Sequence, residues 1–111
     1  MNAAVDCRYT GQASFASHCG TSNDPPSVPN GQVFTVEFRV RNGDGTPIPN
    51  MQMDFFGANG TVSAAYALTN IDGIVSVQFT VGQAKILASI QAANLATGLV
   101  DFADFKAGYN N

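Results

Sequence analysis

Few residues in this chain could do chemistry, and they are scattered. Cys7 and Cys19 are the only cysteines and His18 is the only histidine. A nucleophilic cysteine needs a base within hydrogen-bond reach. His18 adjoins Cys19, and neighbours on an extended strand point to opposite faces, so the two do not make a dyad. Two cysteines and one histidine also fall short of the four ligands of a structural zinc site. Two readings of the cysteines stay open. A disulfide would close a short loop and stabilise the fold by roughly 3 kcal/mol in the chain-entropy account, and the even count favours it. The other reading is a pair of reduced, half-buried thiols in a protein assembled in a reducing cytoplasm. His18 has no Asp or Ser at motif spacing and reads as a solvated loop residue.

The carboxylates are Asp6, Asp24, Glu37, Asp44, Asp54, Asp72, Asp101 and Asp104. A hydrolytic pair would have to be assembled by the fold, and nothing in their spacing marks one. Asn42, Asp44, Asn70 and Asp72 could approach Ca²⁺ only if their loops met. No D-x-D-x-D-G loop is present, and Asx-Gly turns already explain these residues. Gly43-Asp44-Gly45 lacks the run that cradles a phosphate and precedes no helix. Asn59-Gly60-Thr61 fits the glycosylation pattern but also reads as a plain turn. The expectation is no catalytic residue, no metal and no cofactor.

The chain has 111 residues, enough for one domain. Hydrophobic residues are 45% and charged residues 12%, the latter about half the usual share. Asn, Gln, Ser, Thr and Gly must therefore build the surface. With net charge −3 and five basic residues, a nucleic-acid backbone is not an expected partner. No apolar run is long enough to span a membrane as a helix. The start, Met1-Asn2-Ala3-Ala4-Val5-Asp6, lacks the basic and apolar regions of a secretory leader. It reads as a chain used without export or as a fragment of a longer one.

Alternation with period 2 dominates the chain. In Val33–Arg41 the even positions are all apolar, and the odd ones after Val33 are Thr, Glu, Arg and Arg. That is a half-buried antiparallel strand. Met51, Met53 and Phe55 share one face, which turns Phe56 outward. Val62, Ala64, Tyr66 and Leu68 share a face of the next strand, and Val75, Val77, Phe79 and Val81 of another. Ile86, Ala88, Ile90 and Ala92 alternate, and Leu99–Phe105 closes the series. Ala84–Ala96 is rich enough in Ala to permit a helix, but its alternation favours a strand. Phe102 and Phe105 fall on opposite faces. Short strands separated by Asx, Gly and Pro turns mean an all-β sandwich or barrel. One core of Phe34, Val36, Phe38, Val40, Met53, Phe55, Val75, Val77, Phe79, Ile86 and Ile90 is expected. Residues 1–30 read as an N-terminal arm carrying Cys7 and Cys19, followed by a Pro-rich linker. The arm could pair as a hairpin of 4–10 with 13–17. Residues 31–111 read as the sandwich.

Three runs resemble a known family. Val40–Phe55, with its Asn42-Gly43-Asp44-Gly45 turn and Pro47 bend, resembles the bacterial Ig-like domain of the invasin/intimin type. Thr69-Asn70-Ile71-Asp72-Gly73-Ile74-Val75-Ser76-Val77 and Gly82-Gln83-Ala84-Lys85-Ile86-Leu87-Ala88-Ser89-Ile90 are similar to later segments of that family, in the same order and spacing. The resemblance covers about residues 31–107. It implies an Ig-like antiparallel β-sandwich and no catalytic residues; residues 1–19, outside the resemblance, read as an added N-terminal arm or edge hairpin. It also implies a stalk or binding module, since such domains occur on bacterial surfaces and on virus particles that infect bacteria.

Two functional expectations follow. The first is a structural or decoration protein of a virion, docking on capsid or tail or self-associating through a charge-poor surface. The second is an adhesin or stalk module at a bacterial cell surface, or a carbohydrate-binding module using exposed aromatics. Thr61–Thr69 carries no charge and no proline, so it is the candidate open edge. The candidate interaction surface is Phe56, Thr61, Ser63, Ala65, Ala67 and Thr69.

Overall fold

A computed structural model describes residues 3–19, 25–82 and 87–107. The described residues form nine strands and no helix: β1 (Ala4–Tyr9), β2 (Ser27–Val28), β3 (Val33–Arg41), β4 (Gln52–Ala58), β5 (Gly60–Val62), β6 (Tyr66–Leu68), β7 (Ile74–Val81), β8 (Leu87–Asn94) and β9 (Leu99–Ala107). They make two sheets. The four-stranded sheet runs β1-β3-β7-β5 and the five-stranded sheet β2-β9-β8-β4-β6. Every pairing is antiparallel except the short β2–β9 contact.

The core lies between the sheets and follows the alternation. Val36, Phe38 and Val40 on β3 face Val75, Val77 and Phe79 on β7, with Met53, Phe55, Ala88, Ile90, Ala92, Ala103 and Phe105 from the other sheet. Ten of the eleven expected core residues are buried; Ile86 lies outside the described residues. One end of the core is aromatic. Phe34 stacks on Phe105 at 4.6 Å, and Tyr9 meets both edge-on at 5.5 and 5.1 Å. Full burial of such rings contributes about 1.5–3 kcal/mol each. The Ala-rich segment is strand β8, with Ala88, Ile90 and Ala92 inward and Leu87 and Gln91 outward.

Turn chemistry matches the sequence at Asn70–Gly73. Asn70 Oδ1 accepts from the backbone of Asp72 and Ile74 at 2.9 and 3.0 Å, and Gly73 takes φ +75°. A side chain at Gly73 would strike the Val40 carbonyl, which accepts the Ile48 amide. Asn59 turns with φ +58°, and its side-chain amide donates to the Leu87 carbonyl at 2.8 Å. That amide is occupied in holding the turn.

The structure differs from the sequence reading in three places. Residues 4–9 are the edge strand β1, paired with β3 over its whole length, and Val5 and Cys7 are buried. The arm is thus built into the sandwich, while Cys7 and Ala16 form the antiparallel bridge expected of the hairpin. The Pro-rich segment contributes β2, whose Val28 is buried. Thr61–Thr69 is not one strand: β5 pairs with β7 in one sheet, and β6 pairs with β4 in the other. Crossing at Ser63-Ala64-Ala65 reverses the alternation. Val62 and Ala67 pack inward, while Tyr66 and Leu68 are exposed.

Candidate functional site

Two features outside the core could carry function: the side of the sandwich where β1 meets β9, and the outer face of the five-stranded sheet.

At the first, Cys7 and Cys19 form a disulfide, with Cα atoms 5.4 Å apart. The alternation puts Cys7 inward on β1, fully buried, so the bond pins residues 10–19 against the open side of the sandwich. His18 takes φ +55°, a conformation uncommon outside glycine. Its neighbours hold it there. The His18 amide donates to both carboxylate oxygens of Asp101, at 2.9 and 3.0 Å. Its Nε2 lies 3.0 Å from Asp104 Oδ2, and its ring sits 4.0 Å from that of Phe102. The expected solvated histidine is therefore docked on β9, 83 residues away in sequence. Asp101 points inward and is 5% exposed. Burial pushes its carboxyl above the ordinary value of 3.8, and the His18 amide opposes that rise. This cluster contains a histidine and two carboxylates but no hydroxyl or thiol nucleophile. The contacts join two edges and leave no group poised over a cleft.

The outer face of the four-stranded sheet is charged and internally paired. Arg8 meets Glu37 at 2.7 Å, and Arg39 and Arg41 meet Asp6 at 2.8 and 3.1 Å. Phe15, from the disulfide loop, lies between the Arg8 and Arg39 guanidinium groups at 4.4 and 4.2 Å. Asp44 is engaged in its own turn, where Thr46 donates from its hydroxyl and its amide and holds the carboxyl below the usual range. Asp54 accepts from Gln52. Asp24 lies outside the described residues. Among the described residues, no three His, Cys, Asp or Glu side chains converge as metal ligands.

The outer face of the five-stranded sheet is different in kind. Of the nine exposed large apolar side chains among the described residues, six stand on it: Phe56, Tyr66, Leu68, Leu87, Val100 and Phe102. Phe56 is 47% and Tyr66 58% exposed. Apolar side chains scattered singly need no explanation, but six on one face set it apart from the charged outer face of the other sheet.

The six residues expected to form an interaction surface are not brought together. Phe56 is on this face. Thr61 and Ser63 are exposed, but they belong to the β5 side of the sandwich. Ala65 is exposed at the crossing. Ala67 packs inward because the crossing reverses the alternation. Thr69 is 2% exposed; its hydroxyl donates to the Ile48 carbonyl at 2.6 Å and accepts the Met51 amide at 2.8 Å. It ties the β3–β4 connection down and is not available to a partner.

No helix among the described residues is long and apolar enough to cross a membrane. No curated protein matches the sequence. Among solved structures the chain is similar to the D0-D1 domain of intimin, with TM-score 0.57 and 23% identity. The alignment covers 72% of this chain and 42% of that one, so the chain spans less than half of the structure it matches. The family description "Bacterial Ig-like domain (group 1)" matches residues 3–103, so the family unit includes β1 and the disulfide loop. Sheet order, core and family match agree: the chain belongs to the bacterial Ig-like domain family, group 1.

Proposed function

We propose that this chain is a non-enzymatic adhesion or stalk module of a bacterial surface protein, making its contacts through the outer face of the five-stranded sheet. The single observation that carries this reading is the one-sided apolar face on a domain of this family. The two outer faces differ as a contact face and a solvated face should. One is charged and internally paired; the other presents rings and aliphatic chains. The likeness to intimin supports the fold of such a module. The disulfide suits an oxidising location outside the cytoplasm. It thereby favours the bacterial surface over a virion put together inside a cell. Decoration of a virion shares the requirement for a charge-poor surface, but neither the family nor the structural neighbour adds support for it.

The test is display of the domain on a bacterial carrier, followed by adhesion to target cells under flow. Wild type is compared with the double variant Phe56→Ser/Tyr66→Ser and with Thr35→Ser on the opposite face. Loss of adhesion in the double variant alone supports the reading. Equal adhesion by all three, or none by wild type, overturns it.

A further inference from the structure

The outer face of the five-stranded sheet carries three aromatic rings in a line that crosses four strands. Tyr66 on β6 stands opposite Asp54 on β4, and Phe56 is two residues further along β4. That diagonal sets the two residues roughly 7–8 Å apart. Phe56 stands opposite Gln91 on β8, and Gln91 opposite Phe102 on β9. Two strand spacings separate Phe56 from Phe102, about 9.6 Å. Gln91 lies between the two rings, exposed, and its carboxamide makes no hydrogen bond among the described residues. Gln52 and Asp54 flank the line, joined to each other at 2.9 Å.

The geometry points to a binding track for a linear, neutral polysaccharide. The spacing from Phe56 to Phe102 is about the disaccharide repeat of an extended hexopyranose chain. Phe56 can stack against the apolar C–H face of a sugar, and Phe102, whose ring rests 4.0 Å from that of His18, offers the side that His18 leaves open. The Gln91 amide between them can both donate to and accept from the hydroxyls of the sugar that bridges them. Tyr66 extends the line by one more ring. No lysine or arginine stands on the line, which suits an uncharged ligand. A sheet face with rings two strand spacings apart admits a chain lying across its strands, where a monosaccharide would reach a single ring. The inference rests on this face being the contact surface of the module and names what it contacts.

The probes are cello-oligosaccharides and N-acetylchito-oligosaccharides of two to six sugars, titrated into ¹⁵N-labelled domain. The Gln91 side-chain amide resonances and the backbone of residues 54–56, 66 and 100–102 should shift. Affinity should rise at least tenfold from disaccharide to tetrasaccharide in one of the two series. Phe56→Ala and Phe102→Ala should each weaken binding about tenfold. Gln91→Ala, an exposed polar position, should weaken it less and leave thermal unfolding unchanged. An absence of shifts with any chain at millimolar concentration overturns the glycan assignment. So does affinity that does not depend on chain length. If glycans fail but cell adhesion is still lost in Phe56→Ser/Tyr66→Ser, the face binds a protein and only the ligand assignment falls. If both fail, the contact surface itself is wrong.

Discussion

Reducing the Cys7–Cys19 disulfide should cost this domain a large part of its stability. The bond closes a loop with sequence separation 12. In the chain-entropy account a loop of this size restricts the unfolded chain by about 3 kcal/mol. Unfolding entropy is about 2.1 cal/mol/K per residue near 60 °C, or about 0.23 kcal/mol/K for this length. The melting temperature should then fall by about 13 °C. Release of the loop also frees His18 from Asp101 and uncovers Cys7, so the true fall should be no smaller. The assay is calorimetry of the protein with and without dithiothreitol, alongside the variant Cys7→Ala/Cys19→Ala. Intact mass of the untreated protein should be two hydrogens below that of the reduced form. A shift under about 3 °C in both arms would refute the reasoning that this loop staples the sandwich.

Thr69→Val should cost about 2–3 kcal/mol, because it strands the Met51 amide and the Ile48 carbonyl in a buried site; denaturant titration checks it, and a cost near zero would mean that water replaces the hydroxyl. Asp101 binds its proton more tightly folded than unfolded, so its contribution to stability is greatest below pH 3.8 and is lost as pH rises through its raised folded value. Wild type should therefore lose stability relative to Asp101→Asn as pH rises from below 3.8 through the raised folded value, and a difference that stays constant with pH would contradict burial of the charge. Deletion of residues 1–19 should leave no cooperative unfolding transition, since it strips β1, Val5, Cys7 and Cys19 from the core; a folded truncated domain would show that the arm is dispensable.

The sandwich was legible wherever one face of a strand is apolar and the other polar. β3 and β7 are the clear cases, since their Thr, Glu, Arg, Ser and Gln positions turn away from the core. Legibility failed where both faces are apolar. On β9, Phe105 is fully buried while Val100 and Phe102 remain exposed, and alternation cannot say which apolar set turns inward. The apolar outer face was therefore legible at Phe56 but not at Val100 and Phe102. Legibility failed again at Ser63-Ala64-Ala65, where a change of sheet reverses the alternation without any glycine or proline to mark it. Val62, which packs inward, and Tyr66 and Leu68, which are exposed, therefore do not share the face that alternation gives them. The docking of His18 on Asp101 and Asp104 has no local signal, because its partners are brought to it by strand order and by the neighbouring disulfide. The pairing of the cysteines was suggested by their even number, but the inward side of β1 that buries Cys7 is visible only once β1 is set beside β3.

The most direct test of the contact face is site-specific photocrosslinking. A photoreactive side chain is placed at Phe56 on the five-stranded face in one protein and at Gln78 on the four-stranded face in another, and each is illuminated on target cells. Both positions are exposed, so both proteins should fold. The account predicts crosslinks to surface material from position 56 and none from position 78. Crosslinks from position 78 with none from position 56 would contradict it.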